Sequence, residues 1–238
     1  MTPRCAIVGF YDDGYAAYEE LFVSCARMAY PEYAVHTFKI EESPAPANTA
    51  AMRFLVEWPD LGYDYALMTD LDILIHREDP PLLEQHLRVM EKEKLGCYEN
   101  WITADGGKYP RMTGIHFVTK DWWKATRGQR LEELKYVSRT PIQDRTFDEW
   151  MIGRIIVDSG LPLPPQGSVK LWREHGIHLG RWRNTPNPRP QLYAPVAEFL
   201  HYICFESEEF KRMFEKAAYQ RPEIGQIYEE LKKYFPAR

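Results

Sequence analysis

Short apolar runs rich in β-branched residues alternate with longer helical patterns in the first half of this chain. Residues 4–10, 34–40 and 64–69 are predicted strands, and residues 15–30 and 80–94 carry apolar side chains at helical spacing. Strands separated by helices form parallel sheets, because each connection has to cross the sheet before the next strand begins. The alternation therefore predicts an α/β fold with a mainly parallel sheet flanked by helices.

The second half of the chain has a different pattern. A helix is predicted at residues 145–160, and two more are predicted at the C-terminus, separated near Arg221 and Pro222. A further helix is predicted earlier, at residues 50–58. Because no repeat or low-complexity linker interrupts the chain, we predict one domain over residues 1–205 with a helical extension, residues 206–238, packed on it.

Composition excludes some classes of function. The chain has 238 residues, 45% of them hydrophobic, and a net charge of -5 with a pI near 5.9. This acidic balance argues against a nucleic-acid partner. No apolar run approaches the roughly 20 residues of a membrane-spanning helix. We expect a cytoplasmic protein whose four scattered cysteines are reduced. Basic residues of the C-terminal helices alternate with acidic ones, which favours a solvated face and leaves peripheral membrane contact as an alternative.

Two aspartates, Asp70 and Asp72, stand at the end of the third predicted strand. Ligands bind at the carboxyl ends of strands in parallel sheets, and residues two apart in extended chain point the same way. Two neighbouring carboxylates repel each other, and a divalent cation such as Mn²⁺ or Mg²⁺ removes the conflict. The pair therefore indicates a metal site.

Other interpretations of the pair are open at this stage. The aspartates can be turn or cap residues. The run also resembles the first motif of haloacid-dehalogenase-like phosphatases, in which the first aspartate, here Asp70, is the nucleophile. That motif expects Thr or Val where this chain has Leu74, and it usually lies on the first strand.

The segment after the first predicted strand reads DDGYAAY, from Asp12 to Tyr18. An aspartate there can accept a hydrogen bond from a base N–H, and an aromatic ring can stack on a base. The segment resembles the nucleotide-binding opening of glycosyltransferase family 8, especially its bacterial lipopolysaccharide galactosyltransferases, with glycogenin-like members more distant. The resemblance implies the GT-A fold, which is Rossmann-like and binds nucleotide-diphospho-sugars, together with UDP-sugar donors, Mn²⁺ (or Mg²⁺) as cofactor, and retention of configuration.

The resemblance continues in order along the chain. The run TDLDIL is similar to the family's metal motif, and RMTGIHFVT is similar to a strand in which Met112 replaces a sugar-binding Asn. The run DEWMIG places Asp148 at a conserved Asp and Glu149 at the Gln that faces the anomeric carbon, so these two are the implied catalytic residues. The implied donor-binding residues are Asp12, Tyr15, Arg53, Asp70, Leu71, Asp72, Gly180 and Arg181.

The run HGIHLGRWRN resembles the end of the family's active site. Its histidine would be the third metal ligand beside the paired aspartates. His178 is favoured for this role, and His175 is the alternative. Arg181 or Arg183 takes the place of a diphosphate-binding Lys, and a guanidinium fork suits phosphate oxygens.

The resemblance implies a metal-dependent glycosyltransferase of polysaccharide biosynthesis. It would move a hexose from a UDP-sugar to a glycan or glycoconjugate acceptor. Three alternatives stay open: a phosphatase, a protein that binds a sugar nucleotide without catalysis, and a glycosyltransferase that needs no metal.

Overall fold

A five-stranded sheet organises the larger part of the fold. The computed structural model of the chain describes residues 4–40, 46–55, 57, 62–165, 175–180 and 196–234. Within these residues the strands are β1 (Cys5–Tyr11), β2 (Ala34–Lys39), β3 (Tyr65–Asp70), β4 (Ile73–Ile75), β5 (Tyr98–Glu99), β6 (Ile102–Ala104), β7 (Arg111–Met112), β8 (His116–Thr119) and β9 (Gly176–His178).

The helices of the same residues complete the fold. They are α1 (Glu19–Ala29), α2 (Pro46–Met52), α3 (Leu82–Glu93), α4 (Lys120–Val137), α5 (Phe147–Asp158), α6 (Ala197–His201), α7 (Glu208–Gln220) and α8 (Pro222–Tyr234). A 3-10 turn covers Ala16–Tyr18, and a π-helical turn covers Tyr202–Glu206.

The main sheet has the strand order β2-β1-β3-β8-β5. Strand β1 pairs in parallel with both β2 and β3, and these two ladders are the longest in the sheet. Strand β8 pairs antiparallel with β3 and with β5 over shorter registers. The predicted α/β class with a mainly parallel sheet is confirmed.

The central strands are buried on both faces, as continuous apolar runs in parallel sheets require. Ile7 and Val8 of β1 and Leu67 and Met68 of β3 have no exposed surface. Burial of four such side chains stabilises the fold by about 1.5–3 kcal/mol each relative to their exposure. The register of β1 and β3, and with it the position of Asp70, is thereby fixed.

The chain forms two compact units. The first comprises Met1–Asp13, Tyr33–Asp70 and Glu78–Arg173, and it contains the five-stranded sheet and helices α2 to α5. The second contains α1, the β4–β9 ladder and helices α6 to α8. The domain boundary near residue 205 stays a prediction.

The structure corrects one predicted element and adds two features that the sequence did not specify. The helix expected at residues 50–58 is α2, which begins at Pro46, because proline suits the first turn of a helix. Helix α4 was not predicted. Strand β4 forms a separate ladder with β9. Among the described residues, no helix has the length and apolar character needed to cross a membrane.

Candidate active site

The paired aspartates lie where the buried strand β3 ends. Asp70 is the last residue of β3, and Asp72 follows it by two positions in the turn that leads to β4. Asp72 is buried, with 3% of its surface exposed, whereas Asp70 is half-buried. Leu71 between them is buried, with 1% of its surface exposed.

Strand β9 brings a histidine to this turn from far along the chain. Its antiparallel register with β4 sets Ile73 opposite His178. The backbone N–H of Leu179 donates to the Asp72 carbonyl at 2.7 Å. At residue 176, only a glycine lets β9 lie this close to β4, because a Cβ there would be 2.4 Å from the Leu74 carbonyl oxygen.

Asp70, Asp72 and His178 each offer one ligand atom, and these atoms all lie within 4.8 Å of one another. His178 Nε2 is 3.5 Å from Asp72 Oδ1. Carboxylate oxygens with one imidazole nitrogen are donors that a divalent cation accepts. The Asp72 carboxylate is buried beside a second carboxylate and an imidazole, and this set of donors fits a divalent cation.

Gly180 lies against two members of this group. A Cβ at residue 180 would be 2.5 Å from Asp72 Oδ2 and 2.9 Å from His178 Cε1. The ligand atoms therefore occupy the space that any side chain at residue 180 would need. This explains in steric terms why the sequence has glycine at a position predicted to lie in the donor site.

Arg53 joins two of the predicted site carboxylates. Its Nη1 donates to Asp70 Oδ1, and its Nη2 donates to Asp148 Oδ2 at 2.7 Å. Arg53 is 7% exposed and Asp148 is 5% exposed. A buried guanidinium held by two carboxylates is fixed in direction and costly to disturb.

Gly114 lies against the Arg53–Asp148 ion pair. A Cβ at Gly114 would be 2.6 Å from Arg53 Nη2 and 3.7 Å from Asp148 Oδ2. Residue 114 is thus limited to glycine as long as Arg53 keeps its position.

Glu149 is held by an arginine that sequence reasoning missed. Arg111 Nε donates to Glu149 Oε2. Burial raises the pKa of the Glu149 carboxyl, and Arg111 opposes this rise. The only sequence signal was a basic residue next to Met112 in the matched strand, and a single arginine is too common to identify a site.

The remaining predicted residues have these positions. Asp12 directly follows β1 and is half-buried, as is Tyr15 at the start of the 3-10 turn. His175 is buried with a left-handed backbone, φ 53°, and does not belong to the ligand group found among the described residues. Arg181 and Arg183 lie outside the described residues.

Comparisons with known proteins give structural likeness only. No family model and no curated protein matches the chain. Solved structures that resemble it include a glycosyltransferase involved in the glycosylation of the major capsid of PBCV-1, with TM-score 0.41 and 16% identity over 64% of this chain and 78% of that one.

Two other solved structures show a similar degree of likeness. The galactosyltransferase LgtC, in complex with donor and acceptor sugar analogues, has TM-score 0.34 and 17% identity over 64% of this chain and 70% of that one. The apo form of the glycosyltransferase GlyE from Streptococcus pneumoniae TIGR4 has TM-score 0.45 and 12% identity over 98% of this chain and 64% of that one. A likeness of this degree does not decide function, which depends on the residues of the site.

Proposed function

We propose that this protein is a metal-dependent glycosyltransferase that moves a hexose from a UDP-sugar to a glycan or glycoconjugate acceptor, with retention of configuration. The observation that carries the proposal is the group of Asp70, Asp72 and His178 at the carboxyl end of a parallel strand. Ligands of α/β sheets bind at this end, and a cation placed there can face a diphosphate. The sequence resemblance to glycosyltransferase family 8 supports the same chemistry.

The proposed cofactor is Mn²⁺ or Mg²⁺, held by the two carboxylates and the imidazole of this group. When bound, the ion supplies positive charge to the departing diphosphate. Gly180 leaves room for the ligands, and Arg181 is the proposed second cation for the phosphates. The proposed domain is GT-A, spanning residues 1–205.

The uridine would be held by the residues that follow β1. Asp12 is proposed to accept a hydrogen bond from the uracil N–H, and the Tyr15 ring is proposed to stack on the base. The Leu71 backbone between the two aspartates completes the donor site.

Of the two proposed catalytic carboxylates, Glu149 would act on the sugar directly and Asp148 would act through Arg53. The bond from the anomeric carbon to UDP breaks, its electron pair leaves with the diphosphate oxygen, and positive charge grows on the sugar. Glu149, oriented by Arg111, stabilises that charge. The acceptor hydroxyl oxygen bonds to the same face of the carbon, and its proton passes to the departing diphosphate. Asp148 fixes Arg53, which lies beside the sugar and phosphates in this proposal.

Calorimetric titration with UDP tests the donor site. The protein is titrated in the presence of Mn²⁺ and again with EDTA, as wild type, as Asp72→Asn and as the control Asp121→Asn, whose side chain is 81% exposed. We expect metal-dependent UDP binding in wild type and control and none in Asp72→Asn. Release of UDP from a panel of UDP-hexoses then tests turnover.

Each alternative predicts a different result. Absence of UDP binding under every condition would overturn the donor site, and phosphate release from simple esters without UDP would favour the phosphatase. UDP binding without turnover of any donor would indicate a binding protein. Equal UDP affinity with and without chelator would remove the metal from the proposal.

A further inference from the structure

Arg221, at the junction of α7 and α8, reaches the residues assigned to the nucleotide base. Its Nη1 donates to the backbone carbonyl of Gly14. Its guanidinium carbon lies 5.5 Å from the ring centroid of Tyr15 and 5.5 Å from that of Tyr18. One side chain from the C-terminal helices therefore contacts both the backbone and the aromatic ring of this turn.

The guanidinium is itself held in one orientation. Glu223 Oε1 accepts from Arg221 Nε at 2.8 Å and from Nη2 at 2.6 Å. This leaves Nη1 directed at Gly14. Because the guanidinium is planar, fixing one edge of the fork also fixes the direction of the remaining donor.

The helices that carry Arg221 are anchored within the same unit. Lys216 of α7 pairs with Glu20 of α1. Phe214 of α7 stacks on Tyr228 of α8 with ring centroids 4.3 Å apart. Arg221 thus projects from packed helices, and its contacts order the turn.

We infer that Arg221 is a positioning residue for the donor base, which fixes the Gly14 carbonyl and the Tyr15 ring in the orientation needed for stacking on uracil. This inference rests on the proposed function. Arg221 does not touch the donor but acts through Tyr15. A ring that is already ordered loses less conformational freedom on binding, so the base binds more tightly.

The test compares two probes that share the diphosphate and differ in the base. UDP and inorganic pyrophosphate are each titrated with Mn²⁺ present against wild type, Arg221→Ala, Arg221→Lys and the control Arg212→Ala, an exposed arginine of α7. We expect Arg221→Ala to weaken UDP by about tenfold, the scale of one base–aromatic stack. Pyrophosphate affinity should stay unchanged, and Arg221→Lys should recover part of the UDP affinity, because it keeps the charge without the fork.

If Arg221 only stabilised the fold, its variants would not lose affinity for UDP selectively over pyrophosphate. Thermal unfolding is measured for each variant, and if Arg221→Ala does not fold, Arg221→Lys carries the comparison. The inference is overturned if the Arg221 variants bind UDP as tightly as wild type, or if they lose affinity for UDP and pyrophosphate equally. In either case, UDP binding by wild type leaves the proposed function standing. If wild type binds pyrophosphate but not UDP, the proposed function and this inference both fail.

Discussion

Replacing Gly180 by alanine places a methyl group inside the Asp72–His178 group. The new Cβ would lie 2.5 Å from Asp72 Oδ2, whereas unstrained contacts begin at 3.4 Å. The carboxylate therefore has to recede by about 0.9 Å, and metal–ligand distances tolerate only about 0.2 Å. The neighbouring contact of 2.9 Å to His178 Cε1 pushes a second ligand in the same way.

We expect Gly180→Ala to lower Mn²⁺ affinity by about 10–100-fold, the usual effect of disturbing the support of a metal ligand. Titration of free Mn²⁺ by electron paramagnetic resonance measures this directly. The matched control is Gly128→Ala in α4, where a Cβ would meet nothing within 4 Å. It should leave Mn²⁺ affinity unchanged and stabilise the fold by about 1 kcal/mol, the helix-propensity difference between the two residues. Wild-type Mn²⁺ affinity in Gly180→Ala would refute the assignment of Asp72 and His178 as ligands.

Arg53→Met leaves the buried Asp148 carboxylate without its cation and should lower the free energy of unfolding, measured in urea, by about 3–5 kcal/mol. A decrease below about 1 kcal/mol would contradict the view that Asp148 depends on Arg53 for its charge balance. Gly153→Ala sets a Cβ 2.0 Å from the Pro110 carbonyl oxygen and should cost about 1–3 kcal/mol in the same assay, which a neutral result would contradict. The pKa of Glu149 is raised on folding, so the native state binds a proton more tightly than the unfolded state does. The free energy of unfolding of wild type should therefore fall relative to that of Glu149→Gln as pH rises from 4.5 through the raised pKa. An equal dependence of the two free energies of unfolding on pH in this window would exclude the shift.

The fold class followed from local pattern. Strands of parallel sheets are buried on both faces and therefore appear in the sequence as continuous apolar runs, such as the one in β3. Such a run can be recognised without knowledge of distant residues. Helix α4 escaped prediction because its face pattern is weak, with Trp122 and Arg130 both buried among mostly polar neighbours. The predicted start of α2 at residue 50 was wrong because Pro46 begins the helix, and proline is common in the first turn of a helix.

Part of the candidate site was accessible in the same way. Asp70 ends β3 and Asp72 lies two residues further, in the turn that follows, so their proximity is a property of the chain itself. The resemblance to a family singled out Arg53 and Asp148 and grouped His178 with the two aspartates. It did not predict the ion pair between Arg53 and Asp148, or the strand β9 that carries His178.

The sequence by itself determined where the central strands run and which carboxylates stand at the end of β3, because these depend on residues adjacent in the chain. Only the tertiary structure decided which distant residues contact these carboxylates. Arg53, which Asp148 holds, donates to Asp70, and β9 brings His178 to Asp72. Such contacts depend on strand register and helix packing, which no local pattern of residues specifies.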